Sequence, residues 1–234
     1  MSDDRIAITG ANGRIGTVLR RGLADYAITA LDLPGTDCRD IEALRAAFPG
    51  HRAVIHLAWQ MQGGGLYDDA VNLDNIAMTA NVYQAALEAG VRRVLMASSV
   101  HADQFTDRPA GALLSPDAVP APDSPYGAAK VFMEALGRYY AHRGLEVICV
   151  RFGRVRLDDD AGLDDPWERI VWLSHRDGQA LIRACLAAPS VPGGFAVVYG
   201  VSDNTGRVQD VSNPFGWAPV DDFARLPAWQ TRDG

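Results

Sequence analysis

Two residues four apart, Tyr126 and Lys130, offer the most specific chemistry in the chain. On a helix that spacing puts a phenol and an ammonium on one face, about one turn apart. The cation favours the phenolate, which makes Tyr126 a usable proton acceptor near neutral pH. Ser98-Ser99 closes the apolar run Val94-Leu-Met-Ala-Ser98, so a hydroxyl is expected at a strand end beside that helix. Ser99 placed there can hydrogen-bond an oxygen being oxidised or reduced. A tyrosine–lysine pair alone is a common accident of sequence. What precedes it gives it weight.

Upstream, Thr9-Gly-Ala-Asn-Gly-Arg-Ile-Gly16 lies between an apolar strand and an amphipathic helix. Gly10 allows a tight turn, Gly13 lets backbone approach a pyrophosphate, and Gly16 lets helix and strand pack closely. The helix start then presents amide donors and a positive dipole end to phosphate, with Asn12, Arg14 and Ile15 completing the turn. The competing reading is an ordinary tight turn. Asp32 ends the second strand, at about the ~20-residue offset of a carboxylate that grips the adenosine ribose. It would repel a 2′-phosphate, and Leu33 and Pro34 supply no cation in its place, so NAD is expected over NADP. Arg14 weakens that preference, because it could reach a 2′-phosphate, and Asp32 has the alternative reading of a strand-end cap.

These residues need elements to hold them. Arg5–Thr9, Ile28–Asp32, Ala53–Ala58, Val94–Ser98, Val147–Arg151 and Ala196–Tyr199 read as strands. Gly13–Leu23, Ile41–Phe48, Asn75–Ala89, Ser124–His142 and His175–Ala188 read as helices. The strands are near-continuous apolar runs, as in a parallel sheet covered on both faces. Repeated strand–helix alternation predicts an α/β fold, a doubly wound parallel (Rossmann) sheet with a small C-terminal substrate-binding extension. One dinucleotide-binding domain is expected over 1–234. Its substrate pocket is expected mainly from 59–67, 99–122, 153–175 and the irregular tail 200–234, on the side of the strand carboxyl ends.

Composition bounds the partners. A chain of 234 residues with 48% hydrophobic residues can build a core without staples. A formal charge of −7 argues against a general nucleic-acid binder. Three scattered cysteines, Cys38, Cys149 and Cys185, fit neither a disulfide framework nor a paired-cysteine zinc site. The start does not read as a signal peptide, and no apolar run reaches the ~20 residues of a membrane span. A cytoplasmic protein acting on a small molecule, without membrane, nucleic acid or metal, is the expectation. A homo-oligomer remains open.

Taken together, Thr9–Gly16, Asp37-Cys38, His56-Leu-Ala58, Asn75, Ser98-Ser99, Tyr126-Gly-Ala-Ala-Lys130 and Val150-Arg-Phe-Gly153 resemble the extended short-chain dehydrogenase/reductase family over essentially the whole length. The resemblance implies Asp37 and Cys38 against the adenine, Leu57 and Ala58 along the cofactor groove, and Asn75 supporting the central helix near the active site. It implies hydride transfer with Tyr126 as acid/base, Lys130 on the nicotinamide ribose and Ser99 on the reacting oxygen.

Within that family, Ala97-Ser-Ser-Val-His101, Trp172-Leu-Ser-His175-Arg-Asp177 and Tyr199-Gly-Val-Ser-Asp-Asn204 resemble the uronate dehydrogenases and related NAD-dependent aldose and glucose-6-phosphate dehydrogenases. That likeness implies oxidation of C1 of a free pyranose or sugar acid, uronate-like or bearing a phosphate or sulfonate, to the lactone. The alternatives are an epimerase or dehydratase with tightly held NAD, and a non-catalytic dinucleotide sensor. The chain departs from the branch at Val100, where Asn is usual, at Arg154, where Ser is usual, and at Trp167, where an Arg is expected, with Arg169 nearby but out of register. Candidate substrate contacts are Gln60, Ser99, His101, Arg154 and Arg169. Arg154 is read equally as a salt bridge to Asp158-Asp-Asp160, His101 as a loop cap, and Gln60 as part of a solvated loop. Trp59, Trp167 and Trp172 could wall a sugar face, with core packing the safer reading for Trp172.

Overall fold

The computed structural model describes residues 5–106, 113–159 and 165–226. Six strands form one parallel sheet: β1 (Arg5–Thr9), β2 (Ala27–Leu31), β3 (Ala53–His56), β4 (Arg93–Ser99), β5 (Glu146–Phe152) and β6 (Phe195–Gly200). Their order is β2-β1-β3-β4-β5-β6. The chain steps outward from β1 to β2, then returns to the other side of β1 and proceeds to β6. That reversal opens a crevice between β1 and β3 at their carboxyl ends, where ligands of open α/β sheets sit. Helices α1 (Arg14–Gly22) and α6 (His175–Ala187) cover one face, and α2 (Ile41–Ala47), α3 (Leu73–Glu88) and α4 (Pro125–Ala141) cover the other. The expected doubly wound architecture is present.

Alternate side chains of the same strands feed the two cores. Ile6, Ile8, Ile55 and Leu95 pack under α1 and α6, while Ala7, Val54, Met96 and Cys149 pack under α3 and α4. Both faces being covered accounts for the unbroken apolar runs. Helix starts follow their capping chemistry: Asp40, Asn72, Ser124 and Ser174 each accept a backbone N–H from the first turn of their helix. A short helix absent from the sequence reading, α5 (Pro166–Ile170), is capped by Asp165.

The tail beyond β6 is irregular, as expected, but firmly attached. Buried Asp177, in the first turn of α6, accepts from Ser202 Oγ at 2.7 Å and from the backbone N–H of Val220 and Asp221 at 3.0 Å each. Trp217 Nε1 donates to the Asp177 carbonyl at 3.1 Å. Among the described residues, no helix is long and apolar enough to cross a membrane. Parts of the expected pocket segments, residues 107–112, 160–164 and 227–234, lie outside the described residues.

Candidate active site

The glycine turn connects β1 to α1 and lines the crevice. A Cβ on Gly10 would lie 2.5 Å from the Ala58 nitrogen, so the turn and the loop after β3 meet backbone to backbone. A Cβ on Gly16 would lie 2.6 Å from the carbonyl oxygens of Gly10 and Ala11, so its close packing is against the turn after β1, where helix–strand packing was expected. Gly13 is the N-cap of α1 and offers no side-chain oxygen to the first-turn amides. Those donors are left to whatever binds the crevice.

Asp32 lies one residue beyond β2, and its carboxylate accepts from Asn12 N at 2.8 Å and from Leu33 N at 2.9 Å. It therefore fastens the strand end to the glycine turn and still lines the crevice, so the capping and ligand readings of this residue coexist. The crevice has a volume of about 180 Å³ and is bounded by Gly10, Gly13, Asp32, Asp37, Cys38, Leu57, Ala58 and Gln60. Leu33, Thr36, Trp59 and Met78 complete its wall and were not among the expected cofactor residues. Met78 could have been found from its place on the inward face of α3.

The Asp37 carboxylate is held by Arg39 at 2.7 Å, which pulls its pKa below the usual carboxylate range. Burial pushes the Cys38 thiol up to about 11, so it is a neutral contact surface. Arg14 is exposed on α1 and does not border the crevice, and Ile15 packs into the core under α1. Asn75 does more than support its helix. Its Oδ1 accepts from Gln60 N at 2.7 Å and its Nδ2 donates to Gln60 O at 3.0 Å, clamping the loop after β3. The Gln60 backbone is thereby fixed where the residue borders the crevice.

The catalytic candidates converge where β4 meets α4. Ser99 ends β4 and its Oγ accepts from His101 N at 3.2 Å, capping the 3-10 turn Val100–Ala102. Ser124 caps α4 by accepting from Gly127 N at 3.1 Å, and Pro125 occupies the first turn, where its missing N–H is not needed. This start puts Tyr126 beside Ser99 and Lys130 one turn deeper. Burial raises the Tyr126 phenol above its ordinary pKa, opposed by hydrogen bonding with Ser99 and reinforced by the Asp123 charge.

The direction differs from the lowering expected of a lysine neighbour. The reason lies in where the ammonium goes: Lys130 Nζ donates to the Ala97 carbonyl at 2.8 Å and lies 5.5 Å from the Tyr126 ring centre. Burial pushes Lys130 itself down to about 7. His101 Nδ1 pairs with Asp123 Oδ2 at 2.7 Å, and its ring centre is 6.1 Å from that of Tyr126.

Of the Asp158–Asp160 run read as a partner for Arg154, Asp160 lies outside the described residues. The Arg154 Nε faces Glu168 of α5 at 3.5 Å, while Arg156 takes Asp158 at 3.5 Å. Its main chain bridges to Trp172, tying the end of β5 to the segment before α6. Arg169 lies near the end of α5, half-buried. Trp172 is a core residue at 1% exposure, Trp167 is 45% exposed, and Trp59 is half-buried at the crevice.

Residues 6–156 match the NAD dependent epimerase/dehydratase family. The chain belongs to that family. It is 36% identical to an L-arabinose 1-dehydrogenase (NAD(P)(+)) of Haloferax volcanii, over 95% of this chain and 98% of that protein. It is 31% identical to a uronate dehydrogenase of Agrobacterium fabrum, over 93% of this chain and 84% of the relative. The crystal structure of uronate dehydrogenase from Agrobacterium tumefaciens superimposes with a TM-score of 0.78 at 30% identity, covering 94% of this chain and 86% of that one.

The residues present fit a dinucleotide. Gly10 and Gly16 have no room for a side chain, Gly13 leaves the first amides of α1 uncapped, and the Asp32 carboxylate lines the crevice.

Proposed function

We propose that the protein is an NAD-dependent dehydrogenase that oxidises C1 of a free pyranose sugar or sugar acid to the lactone. The observation that carries this reading is the meeting of Ser99, Tyr126 and Lys130 beside the crevice built by the glycine turn. Bound NAD⁺ would supply the acceptor for the hydride from C1, the hydroxyl proton leaving separately as the C1–O bond becomes a carbonyl. The glycine turn and first-turn amides of α1 would hold its pyrophosphate, and Asp32 would receive its ribose hydroxyls.

Tyr126 takes the proton from the anomeric hydroxyl, and Ser99 donates a hydrogen bond to that oxygen. The Lys130 ammonium favours the phenolate form in which Tyr126 accepts that proton. His101, oriented by Asp123, faces the Tyr126 side of the pocket and suits a sugar hydroxyl. Arg154, with Glu168 and a half-exposed guanidinium, suits the anionic group of a sugar acid. Gln60 and Arg169 complete the proposed substrate contacts. The relatives named above are dehydrogenases, which favours net oxidation over an epimerase with captive NAD. Three buried free thiols accord with a reducing cytoplasmic setting.

The test is Tyr126→Phe assayed with NAD⁺ against a panel of arabinose, glucose, glucose 6-phosphate, glucuronate and galacturonate. Wild-type protein is expected to form NADH with at least one of them. Tyr126→Phe is expected to lose about 10²–10⁴-fold in kcat with an unchanged circular dichroism spectrum. Full activity in that variant would remove Tyr126 from the reaction.

A further inference from the structure

Lys130 is the only lysine in the chain, all other basic chain residues being arginine or histidine. Its ammonium is buried at 4% exposure, and among the described residues no carboxylate lies within ion-pair distance of it. Two groups stand in for the missing anion. The Ala97 carbonyl accepts one N–H at 2.8 Å, and the face of the Trp59 indole covers Nζ at 3.5 Å from the ring centre. That separation is well inside the ~6 Å range of cation–π attraction, which is strongest for tryptophan and in sites shielded from water.

Trp59 is not there by loose packing. Its Nε1 donates to the Gly64 carbonyl at 2.7 Å, and its ring meets Tyr126 edge-on with centres 5.7 Å apart. Gly64 is pinned in turn, because a Cβ there would lie 2.6 Å from Asn75 Nδ2 and 2.7 Å from the Gln60 carbonyl. Asn75, clamped on Gln60, thus fixes the loop that fixes the indole.

We propose that Trp59 is a positioning residue of this site, whose indole face holds the Lys130 ammonium charged and in place beside Tyr126. As far as it concerns turnover, the proposal rests on the dehydrogenase reading above. The other groups around the ammonium cannot do this work. His56, at the end of β3, is kept neutral, its pKa pushed down to about 3 by burial and then by Lys130 itself. Farther along α4, Glu134 is consumed by Arg151 and Ser98. The α3 residues Asn75, Met78 and Thr79 carry no charge. From β4 the uncharged Ala97 carbonyl accepts from Nζ, and Asp123, before α4, is taken by His101.

Because there is a single lysine, protein grown on isotope-labelled lysine gives one side-chain methylene signal next to Nζ, and its pH titration reports Lys130 alone. In the wild type that signal is expected to be displaced upfield by the indole ring current. In Trp59→Leu the displacement vanishes and the titration midpoint falls by about one pH unit, the shift that a shielded cation–π contact sustains. Trp59→Phe, which keeps a weaker π face, falls between the two.

With the ammonium lost at lower pH, the Tyr126 phenol loses its cation, so the acid limb of kcat in Trp59→Leu moves to higher pH. A wild-type signal at the free-lysine position overturns the contact, even if Trp59→Leu fails to fold. An unchanged midpoint in a folded Trp59→Leu, or a Trp59→Phe midpoint equal to that of Trp59→Leu, overturns the role of the π face. A moved midpoint with an unmoved acid limb overturns the role in turnover. If no sugar is oxidised by the wild type, the dehydrogenase reading falls while the lysine titration still decides the contact.

Discussion

Lys130 shows a functional side chain held against the preference of its surroundings. An ammonium with a single carbonyl and an indole face for company is a poor core residue, which is why burial drives it down to about 7. Lys130→Met fills similar space without the charge. It is expected to lose turnover by at least about 10²-fold and to gain ~1–3 kcal/mol of stability at pH 6, since apolar replacements of buried charges commonly stabilise. Urea midpoints for both proteins at that pH test the sign, and a destabilised Lys130→Met would mean that the ammonium is better solvated than its burial implies. Asp32 makes a different trade. Its carboxylate fastens Asn12 and Leu33 at 2.8 and 2.9 Å and leaves a negative charge beside the crevice. Asp32→Ala is expected to narrow the preference for NAD over NADP by about tenfold or more, because like charges near ~4 Å cost roughly 1–4 kcal/mol at a protein surface. Comparing kcat/KM for the two cofactors measures it.

At the scale of elements, the reaction depends on how α4 docks against the end of β4. A Cβ on Gly127 would lie 2.0 Å from the His101 carbonyl, so α4 can approach the 3-10 turn after Ser99 only because that position is glycine. Gly127→Ala must push the helix start outward, carrying Tyr126 away from Ser99. The expected outcome is a loss of about 1–3 kcal/mol, typical of overpacking, with a fall in kcat larger than the change in substrate KM. Denaturation and steady-state kinetics on the same preparation separate the two effects. Sheet and long helices were readable in the sequence because strands buried on both faces cannot alternate, and because Asp40, Asn72, Ser124 and Ser174 announce helix starts. The tyrosine, lysine, serine and glycine turn were readable as types at spacings. Contacts made by loops were not. The five residues of α5 carry too little periodicity to be seen, and with α5 went Glu168, the actual neighbour of Arg154. The Trp59 indole reaches Lys130 only through Gly64, Asn75 and Gln60, a geometry that no local pattern encodes.

For the molecule as a whole, the buried basic groups set how stability responds to pH. His56 lies at 1% exposure where β3 opens into the crevice, its Nδ1 hydrogen-bonded with Thr9 Oγ1 at 2.7 Å. Its Nε2 is buried with no hydrogen-bond partner among the described residues. In the unfolded chain a histidine takes up its proton near pH 6.5, whereas in the folded protein His56 resists until about 3. Between those values the unfolded state holds more protons, so stability falls as the solution is acidified through that window. Above about pH 6.5 the same group contributes no slope. Lys130 acts in the same sense at the other end: the unfolded amine stays charged to about 10.5 while the folded one releases its proton from about 7, so stability rises with pH between them. A single group of this kind contributes at most about 1.4 kcal/mol per pH unit. His56→Gln keeps a hydrogen-bonding partner for Thr9 and cannot take up a proton. It is expected to flatten the loss of stability between pH 6 and 4 by up to that slope while leaving the rise above pH 7 intact. Lys130→Met is expected to do the reverse. Chemical denaturation from pH 4 to 9 on the three proteins resolves both windows. If His56→Gln kept the wild-type acid slope, the sensitivity would belong to carboxylates elsewhere, and His56 would have to reach water in the folded state.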